Sequence, residues 1–258
     1  MKKRISIITG AAGGIGKEFT KLMLLEKVDE IWAIDKNEKR LMDLHSEFGD
    51  KVVAISKDLT NSSELRAIGE MLEEEKLVIV YFVNNAGVGK MGSYADFSVD
   101  ELERTISINC NAFVVLCSLC ISYMERGSKI INVSSSGSFQ PLPYAGLYTA
   151  TKVFERYYSR ALNVELNEVG ITATAVCPAW VDTDLLPKEV NGKKIKYPGL
   201  VSPKKVAETA LMDAKRGKDM SVCSMYAKFQ HFMTKVLPQK VSMNVWLNNV
   251  KKNIIQKV

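Results

Sequence analysis

The sequence predicts a doubly wound α/β fold, a parallel sheet covered by helices on both faces. Three observations predict it. Short β-branched or apolar runs alternate with stretches of helical periodicity through most of the chain. The first run ends in a glycine-rich loop that opens directly into a helical pattern. The fourth, Val78 to Val83, is apolar throughout, as a strand buried on both faces requires. With 258 residues, 47% of them apolar, the chain can build one large domain with a substantial core.

Arg4 to Thr9 is the first strand, and Phe19, Leu22 and Met23 mark the helix after the loop. Glycines let the backbone approach a pyrophosphate, and a helix N-terminus offers free N–H groups. The loop is no P-loop: Glu18 follows Lys17, and Ala11 stands where the earlier glycine would be. Nor does it have the Gly-x-Gly-x-x-Gly spacing. It reads Thr-Gly-x-x-x-Gly-x-Gly on Thr9, Gly10, Gly14 and Gly16. Glu30 to Ile34 is the second strand, with Asp35 at its end. An acid there can accept hydrogen bonds from the adenosine ribose and repels a 2′-phosphate, so NAD is favoured over NADP, a preference that Lys36 softens. Asp35 is equally placed to cap a helix from Asn37. Lys51 to Ser56 is the third strand, leading through Asp58-Leu59-Thr60 into the helical pattern Leu65, Ile68, Met71, Leu72. The fourth strand ends in Asn84-Asn85-Ala86-Gly87.

A long helix is expected from Val99 to Tyr123, carrying Asn109. Lys129 to Val133 is the fifth strand, followed by Ser134-Ser135-Ser136-Gly137. The next helix carries Tyr148 and Lys152, four residues apart and therefore on one face. An ammonium within roughly 4 to 6 Å of a phenol favours the phenolate, which makes such a pair a proton donor and acceptor for a hydroxyl. Ile171 to Val176 is the sixth strand and ends at Pro178 to Thr183. The lysine-rich stretch Pro187 to Pro203 has no periodicity and reads as a lid. In such sheets ligands bind beyond the carboxyl ends of the strands, where all these motifs fall.

Several function classes are excluded. Only His45 and His231 are present, so neither a zinc site nor a histidine triad has its material, and no metal is expected. Five cysteines without a secreted framework point to reduced thiols and a cytoplasmic setting; Cys117 and Cys120 read as buried small hydrophobes rather than a redox pair. Met-Lys-Lys-Arg is followed by too short an apolar run for an export signal, and no stretch is expected to span a membrane. The formal charge of +6 resides in the last 34 residues, where six lysines occur with no acid, so nucleic acid is not an expected partner.

Six separated motifs in order make the chain resemble the classical short-chain dehydrogenase/reductase (SDR) family over residues 4 to 224. The resemblance implies a Rossmann-type sheet. It implies that Thr9, Gly10, Gly14, Ile15 and Gly16 hold the pyrophosphate side of NAD, with NADP as second choice, and that Asp35 binds ribose. Asp58 and Leu59 would flank adenine. Asn84, Ala86 and Gly87 would line the end of the fourth strand, and Pro178, Val181 and Thr183 the nicotinamide loop, where Ala179 replaces the family's glycine. Asn109, Ser135, Tyr148 and Lys152 are similar to the catalytic tetrad; the last two also contact the cofactor. The implied reaction is hydride exchange with a carbinol carbon, Tyr148 moving the proton, Lys152 stabilising the phenolate, Ser135 holding the substrate oxygen and Asn109 supporting a water relay. An NAD(H)-sensing protein without turnover is the alternative; the intact tetrad argues against it. A serine hydrolase lacks its Gly-x-Ser-x-Gly, and Ala145 removes the tyrosine an enoyl reductase would use.

The pocket-facing segment Gly137 to Leu147 has no charge, which suits a lipophilic alcohol or ketone of steroid, bile acid or acyl-chain type. The resemblance also implies a homodimer or homotetramer built by the Val99 to Tyr123 and Leu147 to Glu168 helices. Residues 1–224, including a substrate loop at 182–203, are expected to form the dinucleotide-binding catalytic unit, and 225–258 a basic helical extension. There Met225, Phe229, Phe232, Met233, Val236 and Leu237 share one face, Pro238 ends the helix, and Ser242 is expected to cap a second helix with Met243, Trp246, Leu247, Val250 and Ile254 inward. Those faces are expected to pack on the domain or a partner subunit, with peripheral attachment to an anionic membrane as the sharper reading.

Overall fold

The computed structural model describes residues 2–184, 186–190 and 193–253. Six strands alternate with helices: β1 (Lys3–Thr9), α1 (Gly14–Leu24), β2 (Glu30–Asp35), α2 (Glu38–Phe48), β3 (Val52–Ser56), α3 (Ser62–Glu74), β4 (Leu77–Asn84), α4 (Val99–Ile106), α5 (Phe113–Ile121), β5 (Met124–Val133), α6 (Gly146–Glu165) and β6 (Thr172–Val176). The hairpin β7 (Glu189–Val190) and β8 (Lys193–Lys194), α7 (Pro203–Lys215), β9 (Met220–Ser221), α8 (Met225–Val236) and α9 (Gln239–Asn253) follow. The main sheet has the order β3-β2-β1-β4-β5-β6-β9, every pair parallel.

Each sheet face carries its own half of the core. Ile5, Ile7, Ile34 and Phe82 pack beneath Leu116 and Leu72 on one side; Ile8, Ile31 and Val83 pack beneath Phe19, Leu41 and Val206 on the other. β1 lies between β2 and β4, so successive crossovers leave it in opposite directions. The crevice this opens beyond the carboxyl ends of β1 and β4 is where a doubly wound sheet takes its ligand. This is the Rossmann-type fold.

Four expectations need correction. The helix from Val99 ends at Ile121, and Ser107–Ala112 within it is π-helical, which breaks its regular turn around Asn109. This 23-residue helix is long and apolar enough to cross a membrane by length and composition, contrary to the reading that no stretch approaches a span; its Leu116, Cys117 and Cys120 are nevertheless fully buried against the sheet. The cap of α2 is Asn37, whose side chain accepts from the Arg40 N–H, and not Asp35. Finally, α9 starts at Gln239, directly after Pro238, leaving Ser242 buried inside the helix instead of capping it. The stretch 187–203 contains the β7–β8 hairpin and is pinned by the Tyr197 hydroxyl, which donates to the Pro187 carbonyl at 2.6 Å.

Candidate active site

The loop from β1 to α1 is closed on itself by glycine. A Cβ on Gly16 would lie 2.1 Å from the Gly10 carbonyl oxygen, and Gly10 itself has φ +62. The helix begins after Gly13, which offers no side-chain cap, and its first turn holds no acid. Its N–H groups therefore lack a side-chain partner and face no negative charge, which fits the pyrophosphate of a dinucleotide. Thr9 and Asn84 hold the floor. The Thr9 hydroxyl accepts from the N–H groups of Asn85 and Ala86, both at 3.0 Å, while the Asn84 amide donates to the Phe113 carbonyl. Both are buried, so they shape the cradle without lining it. Ile15 anchors α1 in the core.

Asp35 sits beside this loop with its oxygens accepting from the Ala12 and Asn37 N–H groups. The cleft next to it is lined by Gly10, Lys36, Asp58, Leu59, Ala86, Gly87 and Arg104. Burial works against the Asp58 carboxylate, but the Thr60 N–H and hydroxyl it accepts, with Lys36 and Arg104 nearby, hold it below its ordinary value. From the far side, a Cβ on Gly14 would touch the Thr183 methyl at 2.9 Å, which lays the Pro178 to Thr183 segment across the glycine loop. Val181 is fixed there by a bridge to Val201 and Pro178 by accepting from the Ser136 N–H. Ala179 has no positive φ, so the loop runs without the glycine.

Tyr148 and Lys152 share a face of α6, with the ammonium 5.7 Å from the centre of the phenol ring. The ring lies against Gly89, where a Cβ would come within 2.6 Å of it. Asn109 is fully buried. Its Oδ1 accepts from the Val88 N–H, and its amide donates to the Val88 carbonyl and the Thr151 hydroxyl. It thus ties the segment after β4 to α6 one residue from Lys152. Ser135 begins a short 3₁₀ turn, Ser136–Phe139, and its hydroxyl accepts from the Gly137 N–H, leaving its own proton to donate.

The lysine does not stand in solvent. Its ammonium donates to the Val133 carbonyl at 3.1 Å and to Glu155 at 2.9 Å, and both side chains are almost wholly buried. Burial disfavours charge on Lys152, but Glu155 and Tyr148 outweigh it and raise its pKa. Burial also pushes Glu155 up to about 7, against the pull of Lys152. The second Glu155 oxygen has no hydrogen-bond partner among the described residues.

Over this floor lies an aromatic wall. Trp180 packs on Tyr197 with centroids 4.8 Å apart and stacks with Trp246 of α9 at 6.1 Å; the Trp246 indole donates to the Pro143 carbonyl. Tyr144, beside it, is the one described non-glycine residue with positive φ, and its carbonyl accepts from Gly92.

The family model for short chain dehydrogenases matches residues 4–194. The chain belongs to the short-chain dehydrogenase family. It is 26% identical over 254 residues to the probable oxidoreductase EphD of Mycobacterium tuberculosis, covering 90% of the chain but only 43% of that longer relative. It is 32% identical over 185 residues to the 3-ketodihydrosphingosine reductase of Bacteroides thetaiotaomicron, covering 71% of the chain and 66% of the relative. A short chain dehydrogenase/reductase from Burkholderia phymatum, solved in complex with NAD, superposes with a TM-score of 0.77 at 17% identity over 91% of this chain and 95% of that one, a likeness of fold.

Sequence reasoning missed three parts of the candidate site. Glu155 left one signal, an acid three residues after Lys152. Asn85, whose amide donates to the Thr9 and Gly10 carbonyls, was read only as part of a motif. Gly89 falls in Gly87-Val88-Gly89-Lys90-Met91-Gly92, which does have the Gly-x-Gly-x-x-Gly spacing. Those glycines open no helix; Gly87 and Gly89 make room for Lys152, Asn109 and Tyr148.

Proposed function

We propose that this oxidoreductase binds NAD(H), accepts NADP(H) less well, and interconverts a lipophilic secondary alcohol and its ketone. When bound, the dinucleotide supplies or takes the hydride at the carbinol carbon. The protein does the rest. Tyr148 gives or takes the proton at the substrate oxygen, Lys152 holds positive charge beside its phenol, and Ser135 donates to that same oxygen. Asn109 sets the spacing between the strand-four end and α6. The observation that carries this reading is the pairing of Tyr148 with a buried, counter-charged Lys152 at the mouth of a glycine cradle. A sensor of NAD(H) without turnover has no use for it.

The substrate class rests on the uncharged wall of Trp180, Tyr197 and Trp246, and the relative named as a reductase of 3-ketodihydrosphingosine agrees with a lipid-like ketone. Assembly as a homo-oligomer through the outer face of α6 accords with the exposed Phe154, Tyr157 and Val164 there. The test is turnover of steroids, bile acids and acyl ketones with each cofactor, for the natural protein and for Tyr148→Phe. The variant should bind NADH normally and lose turnover. Retention of more than about a tenth of the rate, roughly 1.4 kcal/mol of barrier, would refute the role given to Tyr148.

A further inference from the structure

The apolar face of α8 points the wrong way for a core helix. Met225, Phe229, Phe232 and Val236 follow one another at helical spacing on a single stripe, and all four are exposed, Met225 by 78% and the two phenylalanines by 60% each. The opposite face is what holds the helix down. Ala227 is buried, the His231 ring rests on Phe139 at 4.3 Å, and Tyr226 fills the space over Gly199. Two polar atoms, Gln230 Oε1 and His231 Nδ1, are buried on that inner side with no hydrogen-bond partner among the described residues. The inner contacts therefore favour polar side chains while the outer ones favour apolar ones, the reverse of a helix folded only onto its own domain. Val241 and Val245 extend the exposed apolar surface onto α9.

Charge identifies the occupant. Lys228 and Lys235 are exposed along the flank of the stripe, and Lys240 is exposed just beyond it. From residue 225 onward the chain has six lysines and no acid, whereas the preceding 224 residues are formally neutral. A phenylalanine and methionine stripe bordered by lysines and free of carboxylates is complementary to a surface that is apolar beneath and anionic above. We propose that α8 and α9 seat the protein on the headgroup layer of an anionic phospholipid bilayer, with Met225, Phe229, Phe232 and Val236 entering the acyl boundary and the lysines meeting phosphates.

The test is co-sedimentation of the full-length protein with vesicles of phosphatidylcholine alone, or of equal parts phosphatidylcholine and phosphatidylglycerol, at low and high salt. Binding is expected to the mixed vesicles in low salt and to weaken as salt is added. Lys228→Gln with Lys235→Gln should lower the partition coefficient about fivefold per lysine. Phe229→Ser with Phe232→Ser should lower it about tenfold or more per ring. All four positions are exposed, and a thermal melt with NADH retention identifies any variant that fails to fold; the lysine pair then carries the test alone. Absent or salt-insensitive binding, equal binding to both vesicle types, or unchanged binding by the variants overturns the proposal. So does an oligomer that Phe229→Ser with Phe232→Ser reduces in size without any vesicle binding, which would make the stripe a contact between copies of the chain. None of these outcomes depends on turnover.

Discussion

Replacing Glu155 by glutamine should change how stability depends on pH. Glu155 titrates near 7 in the folded protein against 4.5 ordinarily, because burial costs its charge more than Lys152 returns. The folded state then holds this proton more tightly than the unfolded chain. Its stabilising effect is complete below about pH 4.5 and is lost as pH rises through about 7, a change on the order of 3 kcal/mol. The other groups within its field do not compete for the proton. Cys117 and Cys177 are pushed up to about 12 and Cys110 is raised as well, all chiefly by burial, so the thiols stay neutral. Glutamine cannot titrate and resembles the protonated carboxyl that the folded protein holds below about pH 7, so the substitution should cost little near pH 4.5 and the variant is spared the proton uptake that wild type needs to fold at higher pH. If Lys152 responds by losing its own proton, the variant gains stability with rising pH, and the difference between the two proteins moves further in the same direction. Urea unfolding followed by tryptophan fluorescence from pH 4.5 to 7 reads this directly. Wild type and Glu155→Gln should be about equally stable near pH 4.5, wild type should fall steadily below the variant across that window, and Lys152→Met with Glu155→Leu, which buries neither charge, should lack the wild-type slope. Parallel curves for wild type and Glu155→Gln would refute the reasoning.

Gly89→Ala would push a methyl group to 2.6 Å from the Tyr148 ring; turnover should fall tenfold or more while NADH fluorescence titrations stay unchanged, and unaltered turnover would show that the ring moves aside freely. Asp35→Ala should narrow the preference for NAD over NADP in kcat/KM, and equal use of both cofactors by the unmodified protein would show that Lys36 outweighs the acid. Sedimentation at micromolar concentration should give a dimer or tetramer that Tyr157→Glu weakens, whereas a monomer would set aside the exposed α6 face as a subunit contact.

Much of this architecture could be read from the sequence because local pattern and long-range packing agree there. The six main strands are apolar or β-branched runs, and each motif follows the end of its strand, so a one-dimensional reading already placed Thr9, Asp35, Ala86, Ser135 and Pro178 on one rim of the sheet. What failed lay where tertiary contacts override pattern. The two-residue β9 is too short to show a period, yet it completes the sheet beside β6. The π segment at Asn109 depends on the bonds from that amide to Val88 and Thr151, residues 21 and 42 positions away. Periodicity placed the α8 stripe on a single face correctly, but which face turns inward was decided by Ala227, Tyr226 and His231 meeting Phe139 and Gly199. The apolar side of α9 was read correctly: Val250 is buried and Trp246 packs inward. Ile254 lies outside the described residues.

The C-terminal helices and the candidate active site share a wall. The turn Ser136–Phe139 starts at Ser135, the serine proposed to face the substrate oxygen, and ends at the ring on which His231 rests, so α8 bears on the same short turn that sets Ser135. Trp246 holds the Pro143 carbonyl just before α6 begins, and α6 carries Tyr148. Arg156, one residue beyond Glu155, lies over the Phe139 ring at 5.4 Å from below. Phe139 is therefore clamped between the buried charge cluster of α6 and the inner face of α8. A force on the outer stripe reaches Ser135 through one aromatic ring, Phe139, which is not among the residues that line the cleft beside Asp35. That separation gives a physical reason why the tail should govern access of an apolar substrate while leaving the binding of the dinucleotide alone.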